Sequence, residues 1–300
     1  MRNRRLFFLA CVATIFSCTT SEKKTELHDD VKALPAVVTA GDGTKLSYII
    51  SGDKDTTLLF LHGWAINKTY WDSQLAFFSP QYNVVAIDQA GFGNSDTSRT
   101  SYSIENYAAD VDSVISQLQL KHVVLIGHSM SGDVILEAAI RYPEKIIGLI
   151  GIDNFNQPGK EFSAEEKKEI EDFMQKMNAD YQNTVIPYAE QSLFHKSTDS
   201  SVRKRVKEDI LNCNRRASVE AMKAIIDYSP KETEKLGQLK LRLNLLNSDA
   251  NKTDTASLAR ATGASFQVFP IHATGHYPMI EKPGDFNRIL RQILDSIGAK

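Results

Sequence analysis

Cysteine is almost absent. Cys11, Cys18 and Cys213 are the only three in 300 residues, so no disulfide framework can hold this chain and its stability must come from a packed core. Neither sign of charge dominates. With 35 basic and 37 acidic residues the formal net charge is −2. A sequence pI of about 6.4 offers a polyanion no attracting field, which excludes nucleic acid as an expected partner. No apolar run approaches the roughly 20 residues that span a bilayer, and no period of about 20 to 50 residues points to a solenoid. His-Glu-x-x-His and Cys/His ligand spacings are missing, so the sequence requires no metal, and nothing in it asks for an organic cofactor. What remains is an ordinary globular composition, 42% apolar and 24% charged, too rich in aliphatic and aromatic residues for a disordered chain. Its length suits one α/β domain with an insertion, or two small domains.

The N-terminus carries its own signal. Arg2, Arg4 and Arg5 precede residues 6–16, an uncharged and mostly apolar run of eleven. The pattern predicts an export signal over residues 1–17, with a positive n-region and an h-region too short to be a membrane span. Ile15-Phe16-Ser17-Cys18 then resembles a bacterial lipobox, in which an aliphatic, a variable and a small residue precede the cysteine to be acylated. The expectation is a lipidated Cys18 that anchors the protein to a membrane of the bacterial envelope. The alternative is ordinary cleavage near Ser17 and a soluble periplasmic or secreted protein. Residues 18–34 are polar, charged and poor in apolar side chains, as a flexible tether would be. Cys213 is expected as a half-buried helix residue and not as a nucleophile.

From Pro35 onward strands and helices alternate. Residues 36–40 and 45–51 flank Gly41-Asp42-Gly43, a hairpin signal. Residues 57–61, 83–87, 122–126 and 146–152 are short runs of Val, Ile and Leu, the pattern of strands covered on both faces. Helices are expected over 104–118 and 132–141, and later near 255–261 and 283–297, with strands at 241–246 and 265–269. The order predicts an α/β fold with a mostly parallel sheet flanked by helices. Residues 154–239 break the alternation with charged helical stretches and no convincing strand; Ile170, Phe173 and Met177 lie along one stripe of the first. They are expected as a helical lid inserted between two strands of a core made of residues 35–153 and 240–300.

The strongest local signal for chemistry is Gly127-His128-Ser129-Met130-Ser131-Gly132, between a strand and a helix. A strand, a tight turn and a helix hold a serine exposed at the strand end, provided the residues two before and two after it are small. Gly127 meets that demand; Ser131 meets it less well. The run 58–64, Leu-Leu-Phe-Leu-His-Gly-Trp, ends another strand, and past it the backbone N–H of Trp64 can join that of Met130 as an oxyanion hole. Gly275-His276-Tyr277-Pro278 follows the last strand, a place for a base on a loop.

Together with the Asp88-Gln89-Ala90-Gly91-Phe92-Gly93-Asn94-Ser95-Asp96 segment and the continuation of the last motif to Pro283, these runs appear in family order, and residues 35–300 resemble a serine-type α/β-hydrolase-fold protein. The resemblance implies Ser129 as nucleophile and His276 as base. It also implies a carboxylate to orient the imidazole. Asp249, nearest after the strand at 241–246, is the expected acid, although Asn247-Ser248-Asp249 replaces the usual glycine-containing turn. Asp153, directly after Ile152, is the alternative; Asp254 stands behind both and is expected to cap the following helix. His62 and His128 are expected to make structural hydrogen bonds, His272 is the rival base, and Asp88 is expected to hold its own turn. The implied function is hydrolysis of a carboxylic ester or related small acyl substrate through an acyl-serine. Carbon–carbon bond hydrolysis or peracid formation on the same triad, and a slow or non-catalytic ligand sensor, are the alternatives.

Overall fold

The computed structural model describes residues 36–263 and 265–299. The export signal, Cys18 and the tether expected at residues 1–34 lie outside them. Eight strands form one sheet: β1 (Ala36–Thr39), β2 (Lys45–Ser51), β3 (Thr57–Leu61), β4 (Asn83–Ile87), β5 (Val123–His128), β6 (Ile146–Ile152), β7 (Leu243–Ser248) and β8 (Phe266–Ile271). Their spatial order is β1-β2-β4-β3-β5-β6-β7-β8. The opening hairpin and its junction with β4 are antiparallel, and every pairing from β4 to β8 is parallel. β3 and β5 are buried along their whole length, which is why both read as unbroken apolar runs.

Helices occupy the crossovers. α1 (Asp72–Phe78), α2 (Ile104–Gln117) and α3 (Ser131–Arg141) precede β4, β5 and β6. Ser103 caps α2, accepting from Asn106 N, and the helix buries Tyr107, Val111 and Val114. α4 (Ala164–Ala179), α5 (Tyr181–Ser192), α6 (Ser200–Asn212), α7 (Arg215–Tyr228) and α8 (Glu232–Gln238) all lie between β6 and β7, with no strand among them. A reciprocal Ser163–Glu166 capping box starts α4. α9 (Thr255–Thr262), α10 (Pro278–Glu281) and α11 (Pro283–Ser296) complete the chain; α11 buries Phe286, Ile289, Leu290, Ile293 and Leu294, a single helical stripe. No helix of the described residues is long and apolar enough to cross a membrane.

Two strands run further than residue preference suggests. β5 continues through Gly127 and His128 because both pair with β6, opposite Gly151 and Ile152. β7 continues to Ser248 because Asn247 and Ser248 pair with Pro270 and Ile271 of β8. The ladder partner, more than the side chain, sets the strand end. Both extensions move the loops that carry polar side chains.

Candidate active site

Ser129 stands between β5 and α3 with a φ of +54°, the left-handed region that a side chain occupies only when its surroundings hold it there. Its N–H donates to Ile152 O at 2.9 Å, and its carbonyl accepts from Gly132 N at 2.8 Å. The turn has no spare volume: a Cβ on Gly127 would meet Ser131 O at 2.3 Å, and one on Gly132 would meet the Asn154 amide at 2.3 Å. Ser131 is accommodated, although it is not glycine, because its buried hydroxyl donates to His62 O at 2.5 Å and accepts from Gln89 Nε2 at 3.0 Å.

His276 reaches the same place from the loop after β8. Its Nδ1 lies 2.5 Å from Asp153 Oδ2. Asp153 follows β6, has a φ of +49° and is buried. Its other oxygen accepts from Ser248 N at 3.0 Å and Ser248 Oγ at 2.8 Å. Burial pushes this carboxyl up, but the hydrogen bond and charge of His276, with the Ser248 donors, outweigh it and hold the group below the usual carboxylate range.

Asp249, the expected acid, is not in contact with His276 but with His272. β7 runs on to Ser248, so Asp249 is the first residue beyond the ladder, half-exposed, with Oδ2 3.3 Å from His272 Nδ1 and Oδ1 accepting from Ala273 N at 3.1 Å. His272, the rival base, is 73% exposed there, whereas the His276 side chain is 14% exposed. Asp254 caps α9, accepting from Ala256 N and Ser257 N.

A cavity of about 230 Å³ opens between the sheet edge and helices α5, α7 and α8, with Ser129, His276, Asp153, Trp64 and Met130 in its wall. Trp64 and Met130 thus stand beside Ser129, and the Trp64 indole N–H donates to Ser218 O at 2.8 Å. His62 and His128 make structural contacts. His62 Nε2 accepts from Gln89 N at 3.0 Å, which leaves Nδ1 to donate to Gly63 O at 2.7 Å. His128 Nε2 donates to His276 O at 2.6 Å. Burial, then the neighbouring His276 ring, push His128 down to about 3, so its ring is neutral. Asp88 holds its turn by accepting from Asn94 N at 2.8 Å, and it is ion-paired with the buried Lys68 at 2.5 Å.

Three residues that position the site were missed in the sequence. Glu281 accepts from Gly275 N at 2.9 Å and from Tyr277 N at 3.2 Å, gripping the loop on both sides of His276. It lies inside the motif that carries His276, and that proximity was the available signal. Asn154 donates to Gly127 O at 2.9 Å, and Asn247 donates to Asn154 O at 2.9 Å, which ties the elbow to the ends of β6 and β7. Neither has a spacing that would have singled it out.

Residues 56–234 match the family model of the alpha/beta hydrolase fold, and the chain belongs to that family. A non-heme chloroperoxidase of Streptomyces lividans is 41% identical over 97 residues, 32% of this chain and 35% of that protein. A bifunctional esterase/perhydrolase of Acinetobacter calcoaceticus is 34% identical over 108 residues, 35% of this chain and 39% of that protein. The match thus spans little more than a third of the length of these curated relatives. Among solved structures, an esterase from Thermogutta terrifontis superposes with a TM-score of 0.76 over 88% of this chain and 99% of its own, at 22% identity, a likeness of fold.

Proposed function

We propose that this protein hydrolyses a carboxylic ester or related acyl compound through an acyl-serine on Ser129, with His276 as base and Asp153 as the acid that orients it. One observation carries the reading: the 2.5 Å contact between His276 Nδ1 and the buried Asp153 carboxylate, in the wall of the cavity that also holds Ser129. With Nδ1 engaged, Nε2 is the nitrogen left to take the Ser129 proton. The imidazolium formed is stabilised by Asp153 and returns the proton to the leaving group. The N–H groups of Trp64 and Met130 serve the oxyanion, and water activated by His276 releases the acid. Helices α5, α7 and α8 supply Tyr188, Met222, Ile225 and Glu232 to the cavity wall, as a lid would. Hydrogen peroxide in place of water would give a peracid, a second reading favoured by the perhydrolase activity named for one relative.

A fluorophosphonate probe tests this directly. It should modify one serine, mapped by peptide mass spectrometry to Ser129, and Ser129→Ala should lose both the label and on the order of 10⁴-fold or more in turnover. Turnover retained in Ser129→Ala rejects the reading.

The anchor is part of the same proposal. Several acyl chains hold a protein firmly on a membrane and one does so only marginally, so a triacylated Cys18 should carry the protein into the detergent phase. Cys18→Ser should move it to the aqueous phase. A wild-type protein that partitions into water, with an intact mass showing no lipid, contradicts the anchor.

A further inference from the structure

The cavity beside Ser129 is walled in part by apolar side chains, Trp64, Phe155, Met222 and Ile225 among them, yet three carboxyl groups also line it, and two of them, Asp133 and Glu232, stand apart from His276. Asp133 lies four residues past Ser129, in the first turn of α3, and is only 8% exposed. Glu232 opens α8 and lines the same cavity wall as Asp133, where the two carboxyls act on each other. Two carboxyls side by side in a largely desolvated wall resist ionising together, so the pair holds a proton more readily than free carboxyls do. Burial pushes both up, Glu232 to about 7.

The protein supplies no cation to answer the pair's charge among the described residues. On the same helices, Lys235 and Arg141 are bound to Glu137, which also accepts from the Tyr228 hydroxyl, and Lys231 is bound to Glu105. His276 is engaged by Asp153. Asp133 is thus a polar side chain more than nine-tenths buried, facing a cavity, whose partner is another acid. A buried charge without a counter-ion destabilises a fold, and the space this pair lines is the one a substrate would enter.

We propose that the Asp133–Glu232 pair recognises a cationic nitrogen carried by the substrate, an ammonium on a short chain. This deepens the reading of Ser129 as nucleophile and rests on it. When the ammonium docks, the proton the pair holds leaves to solvent and both carboxylates flank the nitrogen. The cavity of about 230 Å³ has room for an amino-acyl group beside Ser129.

Calorimetric titration with n-butylammonium, and with butan-1-ol as the neutral control, tests the pair without any turnover. The ammonium should bind about tenfold or more tightly than the alcohol, with a heat that varies with the buffer because a proton is released. Glu232→Gln and Asp133→Asn should each lose that preference and the proton release. Equal binding of amine and alcohol by the wild type, or variants that bind the amine as the wild type does, overturns the proposal. In parallel, the kcat/KM ratio of p-nitrophenyl 6-aminohexanoate to p-nitrophenyl heptanoate should exceed one by about tenfold and fall towards one in Glu232→Gln; a wild-type ratio near one also overturns it. The esterase reading fails separately. A protein inert to fluorophosphonate that still binds butylammonium through the pair keeps this site and loses the nucleophile.

Discussion

His128 shows how completely surroundings can decide a residue's chemistry. It sits one position before the proposed nucleophile, yet it is fully buried, donates to the His276 carbonyl and is held neutral. Between a folded value of about 3 and the ordinary 6.5, the unfolded chain binds a proton that the folded chain refuses. Its contribution to stability therefore rises with pH across that window and is lost as pH falls through it. The His128 share is about 1 kcal/mol per pH unit near pH 5.5. Urea unfolding of wild type and His128→Gln at about pH 5 and pH 6 should show a slope smaller by that amount in the variant, since glutamine can donate to the same carbonyl without titrating. Equal slopes would mean that His128 is charged in the fold. Ser129 and His276 were legible in the sequence because each sits in a run of small or turn-forming residues between a strand and a helix. Structural hydrogen bonds were expected of His62 and His128, and the structure shows them. What no residue type announces is a partner far along the chain, such as Gln89 for His62 or Asn154 for Gly127.

Among the elements, the loop from β8 to α10 does most to set the position of His276. Glu281, at the end of α10, turns back and accepts from the N–H groups of Gly275 and Tyr277, while the Thr198 hydroxyl donates to it at 2.6 Å. Hydrogen bonds to a charged acceptor contribute about 1.5–3 kcal/mol each, so this short segment is held more firmly than its length suggests. Glu281→Gln keeps the shape and removes the charge. It should speed amide exchange at Gly275 and Tyr277 and lower kcat by about tenfold or more, because small displacements of a catalytic group are costly. KM should change little. A variant with native exchange at those amides and native kcat would show that other contacts fix the loop. Strand centres were readable from runs of Val, Ile and Leu, whereas strand ends were not. β5 and β7 each extend by two residues past the expected end because a neighbouring strand offers ladder partners. Helices α1, α5 and α8 left weaker marks: α1 and α8 are seven residues each, and α5 carries Pro187 inside it.

For the molecule as a whole, sheet order decides which side chains meet. β5, β6 and β7 are parallel neighbours, so Ser129, Asp153 and Asp249 all emerge past the same edge, at the ends of three adjacent strands. Sequence reading could place all three there, but it could not tell which strand end the β8 loop returns to. That choice depends on two backbone facts invisible in residue types, the left-handed turn at Asp153 and the extension of β7 to Ser248. The first aims Asp153 at His276; the second leaves Asp249 outside, holding His272. The most direct measurement is the kcat of Asp153→Asn beside that of Asp249→Asn on one ester. Asparagine keeps the shape of the acid but supports the wrong imidazole tautomer, which costs about 10⁴-fold in kcat when the residue is the orienting acid. The account predicts that loss in Asp153→Asn and near-native kcat in Asp249→Asn. Near-native kcat in Asp153→Asn, with or without a loss in Asp249→Asn, would contradict it.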